Sequence, residues 1–209
     1  MLKRTAFALL VLLLPGDGMA QETSIEDSSE STLVDTTRQP DSCSLEITGG
    51  SFLESWDLNK FREQLSGLSA GVLCQFTRRL ELGVKTEFLY VRQNPVRDVL
   101  LPALFIKTRW SAFRVGKTSV FVEGGGGLSY ASNKVPNEGT QFNFATQVGM
   151  GVLRPVTQRF SLVGGAHWLH VSNWGLVSPR RNPDIQAIGF DFGFRVNWLH
   201  LPRFLNQTD

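Results

Sequence analysis

The segment IQAIGFDFGFRVNW, residues 185–198, alternates from residue 187 onward between small or polar side chains and large apolar ones. The even positions from 188 onward hold the large apolar set: Ile188, Phe190, Phe192, Phe194, Val196 and Trp198. The odd positions from 187 onward hold the small or polar set: Ala187, Gly189, Asp191, Gly193, Arg195 and Asn197. A period of two predicts a β-strand with one apolar face. A second sheet covers such a face in a soluble sandwich, whereas lipid covers it in an outer-membrane barrel.

The same alternation recurs along the chain and predicts eight strands in total. Each is close to the ~9–11 residues with which a tilted strand crosses a bilayer. The predicted strands are residues 43–52, 66–76, 80–92, 99–110, 118–130, 140–153, 160–171 and 185–198.

The lengths of the predicted connections favour the barrel over the sandwich. Connections alternate along the chain between short turns and mostly longer loops, as in outer-membrane barrels with periplasmic turns and extracellular loops. The short set is 77–79, 111–117 and 154–159, and the longer set is 53–65, 93–98, 131–139 and 172–184. Closure also removes the exposed edges of a long antiparallel sheet. The sequence therefore predicts an all-β protein, an eight-stranded antiparallel transmembrane β-barrel over residues 43–198.

Composition excludes several other classes of protein. The 209 residues are enough for one domain, and no apolar run reaches the ~18 residues of a membrane helix. A net charge of +2 does not support a nucleic-acid surface. Three His and two Cys are too few and too scattered for a structural zinc site.

Both ends of the chain are expected to lie outside the barrel. Lys3 and Arg4 precede a short apolar run and small residues that end at Ala20, which predicts a signal peptide over residues 1–20. An N-terminal anchor is the alternative, but the apolar run is too short to span a bilayer. Residues 21–42 hold six acids and one Arg, so we expect a disordered acidic linker, with a functional acidic tail as the alternative. Residues 199–209 are interpreted as a C-terminal tail.

The polar face of the predicted strands carries charges of both signs. In an eight-stranded barrel side chains fill the interior, so these residues are expected to form an ion-pair network in the lumen. A proton or ion path is the alternative interpretation. The acids are Glu81, Glu87, Glu123 and Asp191, and the bases are Lys85, Lys107, Arg109 and Arg195. His167 has the same inward parity and is expected to be a hydrogen-bonding group there.

The two cysteines lie near the same end of the first predicted hairpin. Pairing Cys43 with Cys74 also pairs Leu45 with Val72 and keeps the parity of both strands. Because an exported protein works in an oxidising compartment, we expect a disulfide. Two free thiols at the interface are the alternative, since a cross-strand bridge is geometrically demanding.

Two polar residues interrupt the lipid-facing set of the seventh strand. His170 and Ser172 share the outward parity of Leu162 and Trp168, and a spacing of two brings their side chains within reach of each other. An imidazole beside a hydroxyl is the minimum for an activated serine nucleophile. The alternative is that both groups are hydrated at the interface and have no chemical role.

The residues around this pair resemble the signature of a known enzyme family. His170-Val171-Ser172-Asn173-Trp174-Gly175-Leu176, followed by Asn182-Pro183-Asp184-Ile185, is similar to the His-x-Ser-Asn-x-Gly-Leu…Asn-Pro-x-Ile signature of the outer-membrane lipid A 3-O-deacylases. Residues 121–127 and 139–144 also resemble strands that precede the site in that family. The resemblance is firm over roughly 118–196 and looser back to residue 43.

The resemblance implies a function, a location and a set of roles. It implies an outer-membrane barrel that removes the 3-O-linked acyl chain of lipid A, the membrane anchor of lipopolysaccharide. It implies Ser172 as the nucleophile, His170 as the general base, and the backbone N–H groups of Asn173 and Gly175 as oxyanion-hole donors. No metal or cofactor is implied, because imidazole activation and backbone donors suffice. Trp168 and Trp174 are the expected substrate contacts, and Trp174 replaces a small residue of the family pattern.

The chain departs from the family pattern at the third member of the triad. The family has a Glu at the start of the last strand, and the matching residue here is Gln186. A Gln oxygen can accept the imidazole N–H but cannot offset the imidazolium charge. Asp184 has the same parity and is the alternative acid.

Two hypotheses for function follow. One is a lipid A or related acyl-ester hydrolase that uses Ser172 and His170. The other is a catalytically weak or inactive outer-membrane barrel with a structural or lipid-binding role, which Gln186 favours. The identity of the acyl chain and the formation of a homodimer are left open by the sequence.

Overall fold

A computed structural model describes residues 42–55, 63–94, 96–176 and 183–200, with the side chains of 198–200 excepted. The predicted signal peptide, the predicted linker except Ser42, and the predicted tail beyond His200 lie outside the described residues. Within the described ranges, no helix is long and apolar enough to cross a membrane.

Eight antiparallel strands follow one another around a closed barrel. Each strand pairs with the next in sequence, and β1 pairs with β8 to close the ring. The strands are β1 (Ser42–Glu54), β2 (Gln64–Gln75), β3 (Leu80–Arg92), β4 (Val99–Val115), β5 (Thr118–Val135), β6 (Thr140–Pro155), β7 (Phe160–Ser172) and β8 (Asp184–His200). The predicted eight-stranded antiparallel barrel is confirmed.

The largest differences from the predicted strand ends are in β4 and β5. The predicted turn 111–117 is reduced to residues 116–117, and the predicted loop 131–139 is reduced to residues 136–139. A bulge between Ser111 and Phe113 shifts the register, so the alternation that the prediction follows breaks while the strand continues. At its other end β5 continues through the polar run Ser132-Asn133-Lys134, which lacks the apolar alternation of a lipid-facing strand.

Alternation in β8 separates the lipid-facing surface from the lumen as predicted. The outward side chain of Phe190 is 71% accessible, whereas the inward Ala187 is fully buried. The same division holds in β3, where Val84 and Phe88 face outward and Lys85 and Glu87 face inward.

A network of ion pairs fills the central part of the lumen and the part nearer the short turns. Arg109 donates through Nη1 and Nη2 to both carboxylate oxygens of Glu46 at 2.7 and 2.8 Å. Its Nε donates to Glu123 at 2.7 Å, and the guanidinium lies 3.9 Å from the ring centroid of Phe121. His167 Nε2 lies 2.8 Å from Glu123 Oε1. Glu46 is an addition to the predicted set, because the alternation in β1 is weak.

An apolar layer lies above this network, in the half of the lumen nearer the longer loops. Its members are buried inward-facing side chains, including Phe52, Leu65, Leu89, Val91, Val99, Leu101, Leu169, Val171, Ile185 and Ala187. Four of them belong to β7 and β8. Because successive side chains alternate, the strand residues that adjoin those four in sequence are turned out of the lumen. These are the positions of the candidate site.

A disulfide joins β1 to β2 at the end of the barrel where the chain enters β1. The sulfur atoms of Cys43 and Cys74 are 2.01 Å apart, and the two residues are cross-strand partners in the expected register. By the chain-entropy estimate, a crosslink between residues 31 positions apart stabilises the barrel by on the order of 3 kcal/mol.

Thiol alkylation tests the disulfide. Purified protein that is unfolded without reductant is expected to take up no alkyl group, and the same protein after reduction is expected to take up two. Intact mass spectrometry measures both values. Two modified cysteines in the unreduced sample would rule out the bridge.

Replacing Arg109 tests the lumen network. Arg109→Met leaves Glu46 and Glu123 buried without their main partner, so the free energy of unfolding is expected to fall by about 3 kcal/mol. Urea titration in neutral detergent measures the loss. Arg114→Met is the matched control, because Arg114 is exposed near a turn and its replacement should cost less than about 0.5 kcal/mol. Equal midpoints for the two variants would contradict a stabilising role for the network.

Candidate active site

The end of β7 places an imidazole beside a hydroxyl on the outer surface of the barrel. His170 Nε2 lies 3.1 Å from Ser172 Oγ. Val171, between them, points into the apolar layer and is fully buried. Ser172 is only 5% accessible, so its hydroxyl is covered although it faces outward. The pair therefore lies at the edge of the lipid-facing surface, close to the loop that follows β7.

The start of β8 brings a carboxylate to the other side of this imidazole. Asp184 is the cross-strand partner of Ser172, and Gln186 is that of His170. The Oδ2 atom of Asp184 lies 3.5 Å from His170 Nδ1. This ring nitrogen is buried and makes no hydrogen bond to a described residue. A separation of 3.5 Å is longer than a hydrogen bond, and such contacts in ligand-free sites often shorten when substrate binds.

Gln186, which matches the acid position of the family pattern, directs its side chain to Asp184. Its side-chain amide donates from Nε2 to Asp184 Oδ2 at 2.8 Å. The amide thus contacts the carboxylate, and the carboxylate approaches His170. Cross-strand pairing alone places Gln186 opposite the imidazole, but the orientation of the two side chains turns Asp184 toward the ring.

Trp168 fixes the other face of the imidazole. Its ring stacks on that of His170 with centroids 5.7 Å apart and planes inclined by 15°. Both residues have the outward parity of β7, one pleat apart. The indole therefore packs against one face of the imidazole and restricts its rotation.

The tight turn after Ser172 uses backbone conformations that are costly for most residues. Trp174 has a φ of 52° and Gly175 a φ of 75°. For Trp174 this left-handed conformation costs roughly 1–2 kcal/mol. The Asn173 side chain is buried and accepts the Gly175 N–H through Oδ1 at 2.9 Å. The expected oxyanion role of Gly175 is therefore not supported, because its N–H already has a partner within the turn.

An aromatic ridge made of Phe142, Phe144 and Trp174 lies on the β6 side of the serine. Phe144 is the cross-strand partner of Ser172. Trp174 is 76% accessible and meets the Phe144 ring edge-on at 5.5 Å, and Phe142 meets Phe144 edge-on at 5.6 Å. Only Trp174 was expected at the site. The even parity of the predicted strand 140–153 already turned both Phe residues outward, but only the β6–β7 register brings Phe144 beside Ser172.

This arrangement brings together several groups that serine-dependent acyl transfer uses. A hydroxyl lies beside an imidazole, a carboxylate lies behind the imidazole, and an accessible apolar surface flanks the hydroxyl. Among the residues that the structure describes, no three His, Cys, Asp or Glu side chains are grouped so that they could hold a metal ion.

Comparisons with known proteins agree with the fold and relate the sequence to a family. The model of the lipid A 3-O-deacylase (PagL) family matches residues 79–195. No functionally curated protein matches the sequence.

Similar solved structures are outer-membrane barrels. Neisserial surface protein A is 16% identical with a TM-score of 0.56, and the match covers 75% of this chain and 97% of that one. The outer-membrane enzyme PagL is 16% identical with a TM-score of 0.50, covering 71% and 97%. OprG from Pseudomonas aeruginosa is 8% identical with a TM-score of 0.50, covering 78% and 99%.

Proposed function

The chain belongs to the lipid A 3-O-deacylase (PagL) family, and from this we propose that it hydrolyses the 3-O-linked acyl ester of lipid A with Ser172 as nucleophile. The protein is an outer-membrane β-barrel of the type represented by PagL. The observation that carries the proposal is the 3.1 Å contact between His170 Nε2 and Ser172 Oγ on the outer surface of β7. Polar side chains on a lipid-facing surface cost free energy, so their presence there indicates a function.

The proposed reaction has two stages. His170 Nε2 takes the proton of Ser172 as Oγ attacks the ester carbonyl, and a tetrahedral oxyanion forms. Its collapse breaks the ester bond, and the sugar 3-alkoxide leaves with the proton from the imidazolium. Water then attacks the acyl-serine with the same base, which releases the fatty acid and restores Ser172.

Asp184 is proposed as the residue that orients His170. A carboxylate at Nδ1 holds the tautomer with Nε2 unprotonated and stabilises the imidazolium that forms during attack. Support comes from Asp184 Oδ2, which lies 3.5 Å from Nδ1, the ring nitrogen that a triad acid orients. The backbone N–H of Asn173 is retained as the proposed oxyanion donor, because the Gly175 N–H is bonded within the turn.

The location of the site suits a membrane-bound ester. Lipid A and the barrel share one membrane, so the ester can reach an outward-facing serine by lateral diffusion. Trp168 covers the imidazole and Trp174 extends the apolar surface beside Ser172, so both are proposed substrate contacts. Phe144 adds to this surface next to the nucleophile.

A second candidate function keeps the barrel without efficient catalysis. The 3.5 Å gap at His170 Nδ1 and the amide at position 186 favour a weak or inactive barrel with a structural or lipid-binding role. One measurement separates the two candidates, because only the hydrolase releases a fatty acid efficiently.

The nucleophile is tested in cells that express the protein. Wild type is expected to release one 3-hydroxy fatty acid from lipid A, and Ser172→Ala and His170→Ala are expected to abolish release because each removes one partner of the proton transfer. Mass spectrometry of extracted lipid A measures the lost chain. Ser66→Ala is the matched control, since Ser66 is an exposed serine near the start of β2, at the same end of the barrel as Ser172. Full activity in Ser172→Ala would exclude the proposed mechanism.

The two candidates for the triad acid respond differently to substitution. If Asp184 orients His170, Asp184→Asn should lower kcat by at least about a hundredfold, since the loss of a triad carboxylate charge can cost on the order of 10⁴. Gln186→Glu should then give no increase, because a second carboxylate beside Asp184 is repelled. Initial rates of both purified variants on lipid A decide the assignment. A faster Gln186→Glu together with an unaffected Asp184→Asn would transfer the role to position 186.

A further inference from the structure

Three short turns at the end of the barrel opposite the active site carry only positive charge among their ionisable groups. They connect β2 to β3, β4 to β5 and β6 to β7, and by their shortness they are the periplasmic turns. The described residues 75–80, 111–119 and 153–161 contain no Asp or Glu. Their cations are Arg78, Arg79, Arg114, Lys117, Arg154 and Arg159.

Two of these turns are built in the same way from similar sequences. They read Phe76-Thr77-Arg78-Arg79-Leu80 and Val156-Thr157-Gln158-Arg159-Phe160. In each, the N–H groups of the first two residues donate to the carbonyl oxygen of the fifth, at 2.8 to 3.0 Å. In each, the threonine Oγ1 accepts the N–H groups of the fourth and fifth residues, at 3.3 and 3.0 Å. The chain thus presents an accessible apolar residue and an Arg in the same geometry twice.

The third turn reaches a similar result by another route. The bulge between Ser111 and Phe113 reverses the parity of β4, so that Phe113 and Val115 are accessible on the outside. Gly116, with a φ of 58°, and Lys117 then form the turn. Phe113 and Val115 therefore continue the lipid-facing surface of β4 down to Lys117.

The apolar residues of these turns indicate which kind of molecule the turns contact. Phe76, Phe113, Val115 and Val156 are each more than half accessible and continue the lipid-facing surface of the barrel. The cations therefore lie where the hydrocarbon ends and the headgroups begin. Among the described residues, the side chains of Arg79, Lys117 and Arg159 have no ion-pair partner.

We propose that the three turns form a binding surface for the headgroups of anionic phospholipids in the periplasmic leaflet. A cation next to an exposed apolar side chain at headgroup depth matches a lipid that has a negative headgroup and an acyl chain. The surface is at the opposite end of the barrel from Ser172, so the proposal is independent of the catalytic one.

Spin-labelled lipids test this proposal on the intact protein in phosphatidylcholine vesicles. Labelled phosphatidylglycerol is expected to associate with the barrel more strongly than labelled phosphatidylcholine, on the order of fivefold for a lipid held by one cation. The preference should fall toward one in high salt, because ions screen exposed charges. Electron paramagnetic resonance spectra give the ratio of association constants.

Two triple variants with equal loss of charge make the test specific. Arg79→Gln, Lys117→Gln and Arg159→Gln together should lower the preference to near one while heat-modifiable gel mobility stays that of a folded barrel. Arg92→Gln, Arg97→Gln and Lys134→Gln remove three exposed cations at the other end and should leave the preference unchanged.

Three results would overturn the proposal. The first is a preference that both variants lose equally, since this indicates diffuse attraction to net charge. The second is a preference that does not respond to salt. The third is a preference that emerges only after residues 22–41 are deleted, because the acidic segment of the chain would then be the occupant of the turns.

Discussion

Backbone hydrogen bonds cannot be left open in the hydrocarbon of a membrane, and this chain satisfies them by pairing β1 with β8. Once the ring is closed, every residue of a strand has only two directions, into the lumen or toward lipid. A ring of eight strands leaves a lumen that side chains must fill. The charges of Arg109, Glu46 and Glu123 and the apolar layer above them are two ways of filling the same narrow space.

The catalytic candidates depend on this division. Val171 and Ile185 are buried in the apolar layer. Their sequence neighbours must therefore face the outer surface, and these neighbours are His170, Ser172, Asp184 and Gln186. The β7–β8 register then sets which of these side chains meet. Neither strand alone makes a site, and a shift of one residue in the ladder would turn Ser172 and Asp184 to opposite faces.

Parity in the sequence was sufficient for most of the fold and for half of the site. It located β3 to the residue, oriented the lumen charges, and turned His170 and Ser172 outward together. It failed at β4, where the bulge near Ser111 breaks the alternation without ending the strand. It also could not show that the Gly175 N–H bonds within the turn or that Asp184 rather than Gln186 approaches the imidazole. These depend on loop dihedral angles and side-chain rotamers, which a period of two does not encode.

Because Ser172 faces outward, the relevant concentration of any lipid partner is its mole fraction in the leaflet. A group on the lipid-facing side of the barrel meets only molecules that lie in the same leaflet. The frequency of these encounters depends on the fraction of the leaflet that each lipid occupies. The bulk concentration of lipid, per volume of water, does not determine how often such encounters occur. Adding an inert amphiphile therefore lowers the mole fraction of each lipid around the barrel, even when the total amount of that lipid in the sample is constant. The rate of any reaction at this surface is a property of the composition of the leaflet.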